Sequence, residues 1–101
     1  MIIEVYHKSS PANRKSILSE GLTVQTGWSY RYNHGEEVTP AIFFSYTNDE
    51  YAYDSTYEDD VYVVLIDDDT LVRDSKLKAH CMAFDNIPLC DIELIYKGTG
   101  K

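Results

Sequence analysis

The chain has 101 residues, is 44% hydrophobic and 13% aromatic, and carries a formal net charge of −8. That length holds one hydrophobic core and excludes a second, and the apolar fraction is enough for a modest core, so the chain need not be disordered. The charge excludes nucleic-acid binding by phosphate neutralisation over the whole surface, and the longest apolar run, Val61 to Ile66, is too short for a membrane span or a secretory leader.

In chain order, Ile2-Ile3-Glu4-Val5-Tyr6 is short and β-branched and predicts a first strand. Ser10 suits a helix N-cap, and Pro11 needs no N–H partner in a first turn, so a helix is expected from there to Glu20. Gly21 supplies the left-handed residue that ends it, and Leu22 folds back onto the last turn. Residues 23–39 contain Gly27, Trp28, Tyr30, Tyr32, His34 and Gly35 and predict a long functional loop. Pro40 introduces a second strand, Ala41 to Tyr46, apolar on both faces and therefore central in its sheet. Asn48, Asp49 and Glu50 resemble a cap and an acidic first turn, predicting a short helix to Tyr57. Val61 to Ile66 is the most hydrophobic strand, closed by a turn at Asp67, Asp68 and Asp69. A short strand over 79–84, a turn over 86–88, a last strand from Ile92 to Tyr96 and a loose tail over 98–100 complete the chain. One helix ahead of a run of strands predicts a single α+β domain over 1–101 with a mainly antiparallel sheet.

Cys81 and Cys90 lack the partners of a zinc site or a disulfide framework, so both are expected as buried free thiols in a reducing cytoplasm. The charge is unevenly placed. Up to Gly35 the acids Glu4 and Glu20 face Lys8, Arg14, Lys15 and Arg31, with His7 and His34 besides, whereas acids dominate from Glu36 onward.

Two constellations carry chemistry. In Tyr6-His7-Lys8-Ser9-Ser10-Pro11, strand alternation puts His7 and Ser9 on one face just ahead of a helix N-terminus, whose free N–H groups suit an anion. Imidazole and hydroxyl can bond a ribose or carboxamide, and Asn13 and Arg14 add an amide and a guanidinium for a pyrophosphate. The second constellation is acidic: Asp49, Glu50, Asp54, Glu58, Asp59 and Asp60 interleave with Tyr51, Tyr53 and Tyr57, and Asp67, Asp68 and Asp69 follow. It lacks the spacing of a calcium loop, so no metal is expected there, and it reads as a solvated negative face.

The order of three segments resembles the ADP-ribosyltransferase superfamily, in its diphtheria-toxin-like and RNA 2′-phosphotransferase-like branches. They are Tyr6-His7-Lys8-Ser9-Ser10, then Ser16-Ile17-Leu18-Ser19-Glu20-Gly21-Leu22, then Pro40-Ala41-Ile42-Phe43-Phe44-Ser45. Ile87-Pro88 ahead of Ile92 is similar to the entry of the last strand in those proteins. The resemblance implies a compact split sheet with one N-terminal helix and a long donor loop, and an NAD-binding cleft. It places His7 at the adenosine ribose, Ser9 at the nicotinamide amide, and Ser10, Arg14 and Ser45 around the dinucleotide. Tyr46 or Tyr53 would stack on nicotinamide and Arg31 would reach a phosphate. The resemblance makes His7, Tyr46 and Glu93 the catalytic candidates, Glu93 standing for the late glutamate of many such transferases, with Asp91 as a second candidate. Because Glu93 alternates with Ile92 and Leu94, it is expected to face outward if those two face the core. In branches without that glutamate, arginine and histidine serve, here Arg14 and His34.

Three functions follow as expectations. The first is a cytoplasmic NAD-dependent ADP-ribosyltransferase-like enzyme, a glycosyl-group transferase that modifies a macromolecule. The second is a non-catalytic acidic protein that docks on a basic protein partner, as an inhibitor or nucleic-acid mimic of a mobile element or phage would. The third is an RNA-end binder of the phosphotransferase type, against which the overall acidity argues. None involves a membrane.

Overall fold

The computed structural model describes residues 1–24, 41–47, 59–73 and 80–99. The expected helix over 48–57 and nearly all of the expected loop over 23–39 lie outside the described residues. What is described is α+β: a six-stranded sheet in which every neighbouring pair is antiparallel, with one short α-helix.

The sheet grows from one long ladder. β1 (Ile2–Ser9) and β3 (Asp60–Asp67) pair over their full lengths, from Ile2↔Asp67 to Ser9↔Asp60. That ladder carries β1 beyond its β-branched stretch to Ser9. β2 (Ile42–Ser45) lies on the other side of β1, β5 (His80–Ala83) beyond it, and the edge strand β4 (Val72–Arg73) beyond that. β6 (Ile92–Tyr96) closes the opposite edge against β3, with an irregularity between Val61 and Tyr62. β4 was not anticipated from the sequence, since it takes its pairing from β5 through Val72↔Met82 and Arg73↔Cys81.

Cross-strand partners share a face, so the register divides the sheet. One face carries Val5 and His7 from β1, Tyr62, Val64 and Ile66 from β3, Phe44 from β2 and Cys81 from β5. These residues, His7 apart, are buried and form the core together with Ile17, Leu22 and Ile87. Tyr6, Lys8 and Val63 alternate onto the other face.

Ser10 caps the chain as expected, its Oγ accepting from the Ala12 N–H at 3.3 Å. The first turn, Pro11–Asn13, is 3-10, and α1 (Arg14–Glu20) follows with Ile17 on the core. Gly21 ends α1, but with φ 84° and ψ −169°, an extended positive-φ conformation open essentially to glycine rather than the expected left-handed helical one. The reason is a close approach: a Cβ there would lie 2.3 Å from the Ile87 carbonyl oxygen. Leu22 and Ile87 then exchange backbone hydrogen bonds of 3.0 and 2.8 Å, which folds the 84–91 connection over the core.

Candidate functional site

β1 and β2 register through one pair, Tyr6↔Ser45. Next to it the side chain of His7 reaches the neighbouring strand, and its Nδ1 donates to the Phe43 carbonyl at 2.7 Å. A carbonyl only accepts, so Nδ1 carries the proton and Nε2 is left as an acceptor. Nε2 has no hydrogen-bond partner among the described residues. The ring meets Phe44 edge-on, centroids 5.8 Å apart. Burial pushes the His7 pKa below its ordinary 6.5, against the opposing pull of the Phe43 carbonyl, and holds the imidazole neutral.

Ser9 shares the His7 face, as alternation requires, and its Oγ accepts from Asn13 Nδ2 at 3.1 Å. Its cross-strand partner is Asp60, which is 0% exposed. Arg14 Nε and Nη2 each donate to this carboxylate at 2.7 Å. The Gly98 N–H donates at 2.7 Å and the Tyr62 hydroxyl at 3.3 Å, while Arg14 Nη2 also reaches the Gly98 carbonyl at 3.3 Å. Two expectations change here. Asp60 is no part of a solvated acidic face, and the Arg14 guanidinium is committed to an ion pair rather than presented to a phosphate. The Arg14 bonds first, then the Gly98 N–H, hold the Asp60 carboxyl below its ordinary range against the cost of burial. Burial and the adjacent carboxylate push the Tyr62 hydroxyl up to about 12. The missed signal was alternation, since Asp60 is in phase with Tyr62, Val64 and Ile66.

Tyr46 follows β2 and packs, half-buried, against the core. The Arg73 guanidinium lies 4.9 Å from its ring centroid. Burial, then Cys81, raises the Tyr46 hydroxyl pKa, and burial pushes the Cys81 thiol up to about 11, so it stays protonated. Cys81 is buried as expected, whereas Cys90 is exposed, because it lies in the 3-10 turn Leu89–Asp91 on the surface connection. Ser45 is buried on the Tyr6 side of the sheet, and its Oγ donates to the Thr47 carbonyl at 2.8 Å and accepts from the Thr47 N–H at 3.2 Å. Ser10 is occupied by its capping role.

Glu93 is exposed, and Ile92 and Leu94 pack against the core, as the alternation on β6 predicted. Glu93 pairs with Val63, and Val63 pairs with Tyr6. Glu93 therefore lies on the face opposite His7, and the structure does not bring these two catalytic candidates together. Asp91 lies at the end of a 3-10 turn, 3.8 Å from the Cys90 sulfur. Arg31, His34 and Tyr53 lie outside the described residues. At the Asp67–Asp69 turn three carboxylates gather within 4.8 Å, and the Asp67 carboxylate caps the Asp69 N–H at 3.0 Å. No described helix is long and apolar enough to cross a membrane.

No family model, curated protein or solved structure matches the chain.

Proposed function

We propose that the domain binds NAD, on the sheet face that carries His7 and Ser9, and that it is an ADP-ribosyltransferase-like protein acting on a macromolecular target. The observation that carries this reading is the His7 imidazole, anchored through Nδ1 to the Phe43 carbonyl beside the one registered pair of β1 and β2. A neutral ring held in one tautomer offers Nε2 as a fixed acceptor for a ribose hydroxyl, at no cost in reorientation. Further support comes from the chain order: β1, a helix directly after it and an aromatic β2 follow one another as the segments that carry the resemblance do.

NAD added at about a hundred times its dissociation constant should raise the melting temperature by mass action. His7→Ala should remove that rise while the far-ultraviolet circular dichroism stays native. A retained fold with no shift at saturating NAD would overturn the reading.

One observation favours binding without transfer. Glu93, the late glutamate, stands on the face opposite His7, so a carboxylate to support a positively charged sugar centre is not supplied from β6. In that second reading the acidic domain occupies a basic protein partner. Nicotinamide release from NAD in the presence of the target separates the two: it accompanies transfer of the ADP-ribosyl group to the target in the first reading and is absent in the second.

A further inference from the structure

A cavity of about 380 Å³ opens under the 84–91 connection, at the Ile2–Asp67 end of the β1–β3 ladder, opposite the end that carries His7 and Ser9. Its volume lies within the range of small-molecule sites. The floor is apolar, built by Ile66, Ala83 and Ile87, all buried core residues. The rim carries the carboxylates of Asp67, Asp85 and Asp91. Among the described residues lining it there is no Lys, Arg or His, and neither His7, Ser9, Ser45 nor Tyr46 contributes. The described charge of its lining is thus of one sign over an apolar base, with the Met1 ammonium on Asp67 alone of the rim carboxylates, a combination that rejects anions and rewards a cation with a hydrocarbon body.

We propose that this cavity binds a small organic cation, an ammonium group on an apolar stem, with the stem on Ile66, Ala83 and Ile87 and the ammonium between Asp85 and Asp91. Asp67 is the rim carboxylate least able to serve, because it already caps Asp69 and lies 3.2 Å from the Met1 ammonium. Among the described residues neither of the other two has a charge partner: Asp85 is exposed, and Asp91 makes one long contact with the Cys90 sulfur at 3.8 Å. The site is independent of the NAD reading, since neither His7, Ser9, Ser45 nor Tyr46 lines it.

Phenethylammonium chloride is the probe, with 2-phenylethanol as its neutral counterpart of the same shape. In two-dimensional amide NMR of the whole chain at low salt, the ammonium should give saturable shifts at Asp85, Asn86 and Ile87. It should bind about fivefold or more tighter than the alcohol, the worth of a partly exposed ion pair. The double variant Asp85→Asn, Asp91→Asn should retain the native amide dispersion and lose that preference. Equal binding of alcohol and ammonium, shifts centred elsewhere, no saturable shift, or an unchanged preference in the folded double variant would each overturn the site.

Discussion

Two polar regions share the core face of the sheet, and they are completed differently. At the Ser9–Asp60 end, both oxygens of a fully buried carboxylate are met by Arg14, and Gly98 and Tyr62 donate to it as well. One row further in, His7 has one nitrogen bonded and the other without a partner among the described residues, and Tyr46 carries a cation on its ring. The closed corner cannot take a ligand without losing bonds of its own, and losing them inside the protein is costly. The open row keeps one acceptor, His7 Nε2, without a partner among the described residues. A charged cluster next to a candidate site is thus structural, and the weakly polar row beside it is the better place for chemistry.

The largest expected effect comes from breaking the closed corner. Asp60→Ala removes the acceptor shared by Arg14, Gly98 and Tyr62, and should cost about 3 kcal/mol, near the low end for a broken buried pair, because the Arg14 side chain is 24% exposed and can recover some water. Urea unfolding with an unchanged slope would measure it. Arg14→Ala should be worse than Asp60→Ala, since it strands a carboxylate with no access to water. Equal or smaller loss would mean that the carboxylate is protonated or hydrated when alone. Acid should act on the same corner. The Asp60 pKa is depressed on folding, so its stabilisation is full above the unfolded value of 3.8 and is lost as pH falls through the lower folded value.

Tyr62→Phe tests the corner more gently. Deleting one hydroxyl bond of 3.3 Å should cost about 1 kcal/mol. If the corner acts as a unit, that cost should shrink in the Asp60→Ala background, where the hydroxyl has already lost its acceptor. Additive costs would show that Tyr62 contributes by packing alone.

The open row was more legible in the sequence than the closed corner, for a physical reason. Strand period 2 and a capped turn are local, so the face shared by His7 and Ser9, the cap at Ser10 and the outward Glu93 could be read from spacing. The four parts of the closed corner come from α1, β3 and the segment after β6, and no local pattern ties Arg14 to Asp60 or to Gly98. The run Glu58-Asp59-Asp60 disguised it further, since composition makes three neighbouring acids look alike. Gly21 is a similar case: its need for glycine was readable as a helix ending, but its backbone angles are set by the distant Ile87 carbonyl. β4 and the Arg73–Tyr46 contact depend on pairing with β5 and left no local trace.

A smaller change is expected from protonating the open row. The His7 pKa is lowered on folding, so the unfolded chain binds the extra proton first. Stability from this residue is therefore full above 6.5, its ordinary value, and declines as pH falls from there through the folded value. Denaturant unfolding across that window should show a slope in the wild type that His7→Gln removes. A slope that survives in His7→Gln would assign it to another group and leave the His7 ring charged or solvated in the folded protein.

The smallest effect should come from Arg73→Ala, which uncovers the Tyr46 ring at the end of the open row. A guanidinium over an exposed aromatic contributes about 0.5–1 kcal/mol, and Arg73 is itself exposed on a two-residue edge strand, so the loss should sit at the low end. The more telling reading is electrostatic. Arg73 opposes the rise of both the Tyr46 and the Cys81 pKa, so its removal should move both groups further up, visible in a ¹³C-tyrosine titration and in slower alkylation of Cys81. The same variant divides the two regions cleanly. If the open row holds the ligand, NAD affinity should respond to Arg73→Ala although stability hardly does, whereas Tyr62→Phe should lower stability and leave NAD affinity alone. The reverse pattern would move the site to the closed corner and remove the distinction between the two.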